Sequence, residues 1–94
     1  KRSGETLWRM PLLEEYRDAL DSPVADLANT SVKDDYGHPG AIEAALFLRE
    51  FVGSVPWAHL DIAGPGRSMS DEGILSKGGT AFGTRLLLRW LAER

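Results

Sequence analysis

Apolar and polar positions change their period several times along the chain, and each change marks an element. Leu12, Tyr16, Ala19 and Leu20 recur at three- to four-residue spacing. They predict an amphipathic helix that begins near Pro11 and stops before Ser22-Pro23. From Ala41 to Val52 nearly every position is apolar, with Glu43, Arg49 and Glu50 as the few polar outlets; this reads as a helix buried on most sides, ended by Gly53 and Pro56. In Trp57–Ile62 the period drops to two. Trp57, His59 and Asp61 share one face, Ala58, Leu60 and Ile62 the other, which predicts a short strand. A last helix places Phe82, Leu86, Leu87, Trp90 and Leu91 inward and Arg85, Arg89 and Glu93 toward water, with Thr80 as its candidate cap. Between these elements, 26–40 and 65–80 lack periodicity and read as loops; Thr6–Met10 is a candidate short strand.

Three helices and one or two strands place the chain in the α/β class. One confident strand leaves its backbone donors and acceptors unpaired, so its sheet neighbours are expected from outside these residues. Ala63, Gly64, Pro65 and Gly66 follow that strand directly. Small residues let backbone or ligand approach closely, and ligand crevices in open α/β sheets lie beyond the carboxyl ends of strands. The Ala63–Gly66 bend is therefore the leading candidate site.

Bulk properties narrow the classes. Ninety-four residues suffice for one small domain. A net charge of −3 lacks the basic footprint of a nucleic-acid binder. Apolar runs such as Ala44–Leu48 and Leu86–Leu88 are far shorter than the ~20 residues of a membrane span. With no cysteine, disulfides and thiolate metal sites are excluded. A cytoplasmic setting, with neither nucleic acid nor membrane as partner, is expected.

Candidate chemistry is sparse. His59 and Asp61 lie two apart on one strand face, but two ligands without a third make a poor metal site; the favoured reading gives Asp61 donors at a loop mouth and leaves His59 a hydrogen-bonded structural group. His38 reads as a plain turn residue. Ser68 and Ser70 lack the strained Gly-x-Ser-x-Gly elbow of a nucleophile. Gly78 and Gly83 have phosphate-loop spacing, yet Thr84 stands where that motif needs lysine. Glu14/Glu15 and Asp34/Asp35 are adjacent and do not converge as an acid–base pair. Trp8, Trp57 and Trp90 read as packing groups.

Several strings carry a family resemblance. Gly40–Val52, with Ala41-Ile42-Glu43-Ala44-Ala45-Leu46-Phe47-Leu48, and then Pro56-Trp57-Ala58-His59-Leu60-Asp61-Ile62-Ala63-Gly64 resemble the C-terminal part of the leucyl aminopeptidase (cytosol aminopeptidase) family. Trp8–Leu12 with Glu15-Tyr16, Val24–Leu27 with Asn29, and Gly79–Leu88 are similar to flanking segments of that family. The resemblance covers almost the whole chain in order, and the Trp57–Gly64 string is highly specific. It implies a C-terminal fragment, residues 1–94, of a catalytic domain with a central mixed sheet flanked by helices. It also implies cytoplasmic exopeptidases that use two divalent metal ions, manganese, zinc or magnesium, to remove N-terminal residues from peptides with a free amino group, and that assemble as hexamers. The family's metal ligands and catalytic arginine belong upstream of the matching region, so no catalytic residue and no metal ligand is carried over, and the fragment alone is expected to be inactive. Ala63 matches a residue lining the pocket for the first side chain of the substrate, and Gly66 falls where other members carry a larger pocket residue. Glu43 replaces a small hydroxyl residue and Ala81 a glycine. The alternative is a non-catalytic interaction module of the same descent, its 65–80 loop binding a partner protein.

Overall fold

A computed structural model describes residues 2–31 and 39–94. The element order is a 3₁₀ helix (Glu14–Leu20), α1 (Gly40–Arg49), β1 (Arg67–Ser68), β2 (Gly78–Gly79) and α2 (Thr84–Ala92). Among the described residues, three helices and a two-stranded antiparallel sheet make a small α/β fragment. The chain divides into two compact units, one of Arg9–His59 and one of Lys1–Trp8 with Leu60–Arg94. The candidate phosphate turn lies within the second unit; His38, Asp34 and Asp35 lie outside the described residues.

In the Arg9–His59 unit the core is the contact of the 3₁₀ helix with α1. Leu20, Ile42 and Leu46 are buried, and Leu13, Tyr16, Leu27 and Phe47 pack around them. Ile42, Ala45 and Leu46 fall at i, i+3 and i+4 and so form one stripe. Only that stripe is covered. Leu48 and Phe51 are exposed, so α1 is not buried on most sides as its composition predicts, because the short 3₁₀ helix covers one face. Glu43, expected to point outward, is only 7% exposed, and its Oε1 has no hydrogen-bond partner among the described residues. It flanks the apolar stripe, one position after Ile42, and is covered with it. Leu12 is likewise exposed rather than part of the first helical face, since the helix starts at Glu14.

Ion pairs fasten the rim of this core. Arg49 donates to both oxygens of Glu14, at 2.6 Å to Oε2. Arg17 Nε lies 2.5 Å from Glu50 Oε1, and its Nη1 is 3.2 Å from Asp21. The hydrogen bonds from Arg49 hold the Glu14 carboxyl below its ordinary value of 4.5. A depressed folded-state value means the pair contributes stability at a pH above that ordinary value and loses it as pH falls through the lowered one. In a carboxyl NMR titration, Glu14 is expected to titrate below free glutamate, and Arg49→Gln to move its midpoint back up. Identical midpoints in the two proteins would exclude the pair.

The other unit differs more from expectation. Residues 65–80 form a hairpin rather than an irregular loop. Arg67 pairs with Gly79 and Ser68 with Gly78. At the tip, Glu72 and Leu75 exchange both backbone hydrogen bonds at 2.9 Å. The two-residue turn between them places Gly73 at φ +60° in its first central position, where hairpin turns of this kind take glycine. Side chains hold the remainder: Lys77 N–H donates to Asp71 Oδ1 at 2.8 Å, Ser68 Oγ to the Ser70 carbonyl at 2.6 Å and Ser70 Oγ to Glu72 at 2.8 Å. Alternation is missing from the sequence here because the ladder is only two pairs long.

Neither Thr6–Met10 nor Trp57–Ile62 forms a strand. A strand is defined by a ladder, and these stretches find no ladder partner among the described residues. In 57–62 the aliphatic positions Ala58, Leu60 and Ile62 are exposed, while Trp57 and His59 are half-buried. α2 shows the same shortfall. Its apolar pattern is as predicted, but none of its residues is buried: Leu88 is 63% and Leu91 58% exposed.

Gly83, not Thr80, is the N-cap of α2, and Gly83 has no side chain to offer the helix. Glu5 supplies the acceptors instead. Its buried carboxylate takes Gly83 N–H at 3.0 Å on Oε1 and Leu86 N–H at 2.8 Å on Oε2. This is a capping interaction brought from the far end of the sequence, with the carboxylate at the positive pole of the helix. Just before it, Ala81 sits at φ +53°. The left-handed region costs an L-residue roughly 1–2 kcal/mol, against about 0.5–1 kcal/mol of backbone entropy lost by a glycine. Ala81→Gly is therefore expected to stabilise the fold by about 0.5–1 kcal/mol. Chemical denaturation measures this, and a lowered midpoint would contradict the strained backbone.

Candidate functional site

The Ala63–Gly66 bend is built by its own backbone and by the start of the turn before α2. Asp61 Oδ1 accepts Ala63 N–H at 3.0 Å, closing the entry to the bend. Gly66 N–H then reaches back to the Ile62 carbonyl at 2.8 Å. Thr80 ties the far side, its Oγ1 donating to the Pro65 carbonyl at 2.5 Å and its N–H to the Gly66 carbonyl at 3.0 Å. The same hydroxyl accepts Phe82 N–H at 3.3 Å, so Thr80 braces the bend and the following turn rather than the helix. Ala63, Gly64 and Pro65 are exposed, and Gly66 half-buried.

Gly66 is there for space. A Cβ at this position would lie 2.6 Å from the Ile62 carbonyl oxygen, which is backbone and cannot swing aside. A larger residue therefore requires a differently shaped bend. Gly66→Ala is expected to break the Gly66–Ile62 hydrogen bond and cost about 2 kcal/mol. Amide exchange at position 66 and the denaturation midpoint read the two effects; unchanged protection would mean that the bend has slack.

Other candidate side chains are occupied structurally. Asp61 serves as the loop-mouth acceptor that the sequence favours. His59 differs: it lies beside the Trp57 ring, 6.5 Å between centroids, and has no hydrogen bond among the described residues, so the hydrogen-bonded role expected of it is not found there. Both hairpin serines are hydrogen-bonded within the hairpin. The glycine-rich turn at 78–83 presents its helix N-terminus to the Glu5 carboxylate, so that position is already filled. Among the described residues, no three histidine, aspartate or glutamate side chains converge as metal ligands. No chemical step is assigned to these side chains. No helix is long and apolar enough to cross a membrane among the described residues. Glu5 is the residue that sequence reasoning missed. Its partners lie 78 and 81 positions away, and nothing near Glu5 announces them.

Comparison with known proteins extends this picture. Residues 1–88 match the cytosol aminopeptidase family, catalytic domain. A protein of Picosynechococcus sp. named "Probable cytosol aminopeptidase" is 52% identical over 91 residues, covering 97% of this chain and 18% of that protein. One of the same name from Synechococcus sp. (strain JA-3-3Ab) is 49% identical over 92 residues, 98% of this chain and 17% of its own length. "Probable cytosol aminopeptidase 1" of Shewanella oneidensis is 47% identical over 90 residues, 96% of this chain and 17% of its own. The chain thus spans less than a fifth of the length of these relatives. No solved structure matches it. A match in order through the helix at 40–49, the Trp57–Gly64 string and the turn into α2, at about half identity, leaves one conclusion: the chain belongs to the cytosol aminopeptidase family, within its catalytic domain.

Proposed function

We propose that this chain is a segment of a metal-dependent leucyl aminopeptidase, in which the Ala63–Gly66 bend walls the pocket for the first side chain of a peptide with a free amino terminus. The observation that carries this reading is the family match over residues 1–88. The bend itself supports it: a braced, exposed turn of small residues presents backbone and methyl surface without obstruction. The two metal ions, manganese, zinc or magnesium, are held by residues outside this segment. When bound they supply a polarised carbonyl and an activated water. The segment contributes shape. Ala63 limits the depth of the pocket, Gly66 holds the bend closed against Ile62, and Asp61 and Thr80 keep both from moving.

The uncovered surfaces have a place in the same reading. The apolar face of α2 and the unpaired 57–62 stretch are packed by the remainder of the enzyme, which works in the cytoplasm as a hexamer. Size discrimination tests the pocket. In the full-length enzyme carrying this segment, Ala63→Phe is expected to lower kcat/KM for leucine substrates by about 10- to 100-fold, corresponding to about 1.4–2.7 kcal/mol. Alanine substrates are expected to be affected far less. An equal loss for both, or none for either, overturns the pocket-wall role.

A further inference from the structure

The unit of Lys1–Trp8 and Leu60–Arg94 contains a cleft of about 340 Å³ to which the aminopeptidase reading assigns no ligand. Two arginines, Arg67 and Arg85, line it, together with Glu5 and the apolar side chains of Pro65, Leu75 and Phe82. We propose that this cleft binds a small oxyanion, a carboxylate or a phosphate, held by Arg67 and Arg85.

Three observations carry the assignment. The first is charge. In a chain of net charge −3, the lining of this cleft counts two arginines against one carboxylate, an excess of positive charge opposite to that of the whole. The second is that the one carboxylate is already engaged. Both oxygens of Glu5 accept backbone N–H groups, from Gly83 and Leu86. Arg85 approaches it only through Nε, at 3.8 Å, beyond a hydrogen bond. Arg67 makes no ion pair among the described residues. Arg67 and Arg85 therefore line one cleft with hydrogen-bond donors to spare. The third is the wall. Pro65, Leu75 and Phe82 give one side of the cleft an apolar lining, and less polar surroundings strengthen the attraction between a guanidinium and an anion.

Guanidinium geometry selects the ligand. Its planar fork matches the paired oxygens of a carboxylate or phosphate, and it favours these over a spherical halide. The N-terminus of α2 is not the attraction, since Glu5 already satisfies it. Pro65 lines the cleft and belongs to the candidate bend, so the anion would sit beside that bend. The inference stands on the cleft alone and does not depend on the aminopeptidase reading.

Titration of the isotope-labelled chain with sodium phosphate and with N-acetylglycine, at ionic strength fixed with sodium chloride, tests it. Amide shifts of Thr6, Ser68 and Phe82 are the readout. Saturable shifts with at least one anion are expected, and the tighter of the two identifies whether a phosphate or a carboxylate is the natural occupant. Arg67 is exposed, so Arg67→Gln leaves the fold in place and should weaken binding by about five-fold or more. Arg67→Lys should fall between, keeping charge but losing the fork. Lys77→Gln, outside the cleft, should bind as the unmodified chain does. Non-saturating shifts with both anions, or full affinity in Arg67→Gln, would overturn the site.

Discussion

Glu5→Ala is expected to be among the most damaging single substitutions in the chain, lowering stability by about 2–4 kcal/mol. The carboxylate accepts two N–H groups at the start of α2. Charge-assisted bonds of this kind contribute about 1.5–3 kcal/mol each, and removing the acceptor strands a buried donor at Gly83. Water can reach the Leu86 N–H more readily, since that bond is only partly buried, which keeps the total below twice the single value. Glu5→Gln retains one acceptor oxygen and should lose about half as much. Urea denaturation gives the magnitude, and amide exchange through 83–86 gives the location. A change under about 0.5 kcal/mol, typical of an exposed surface position, would show that α2 is held by something else.

Leu46→Ala should act just as strongly in the Arg9–His59 unit. Among the described residues, Leu46 and Leu20 are the two large side chains fully removed from solvent, and they meet in a cluster joining the 3₁₀ helix to α1. Truncating a buried leucine costs about 2–5 kcal/mol, depending on how far neighbours close the cavity. Leu13, Tyr16, Leu27 and Phe47 are only partly buried and can move inward, which places the loss at about 2–3 kcal/mol. Leu48→Ala, on the exposed face of the same helix, is the control and should change stability by less than about 0.5 kcal/mol. Equal effects at the two positions would mean that α1 is packed on both sides.

These two sites mark what could and could not be read from the sequence. The Leu46 contact was legible only in part: the apolar run from Ala41 reads as a buried helix that Pro56 stops, but not which stripe, Ile42, Ala45 and Leu46, is covered. The helix proper ends at Arg49, and Glu50, Phe51 and Val52 continue it only as a tighter turn bonded three residues back, at 3.1–3.2 Å. Glu5 was illegible, because a cap supplied from 78 residues away leaves no local pattern. The hairpin at 67–79 was missed for a different reason: side-chain bonds from Asp71, Ser68 and Ser70 stand in for the alternation a longer ladder would show. For α2 the apolar face was read correctly, but its burial was assumed. A periodic pattern says which face wants cover and not which residues provide it.

The same distinction governs the site. Asp61 and the small residues after it were readable as a bend, and the structure shows how that bend is held. Its functional meaning came from the Trp57–Gly64 string and from the family match, because a turn of small residues has no chemistry of its own.

These residues are proposed to give shape to an aminopeptidase whose metals are bound elsewhere, and leucine-arylamide hydrolysis tests that proposal in two proteins side by side. One is the chain alone with manganese or zinc; the other is the Picosynechococcus relative with its own matching stretch, 18% of its length, replaced by this chain. No turnover is expected from the first and metal-dependent turnover from the second. Hydrolysis by the chain alone, or a folded but inactive hybrid, would contradict it.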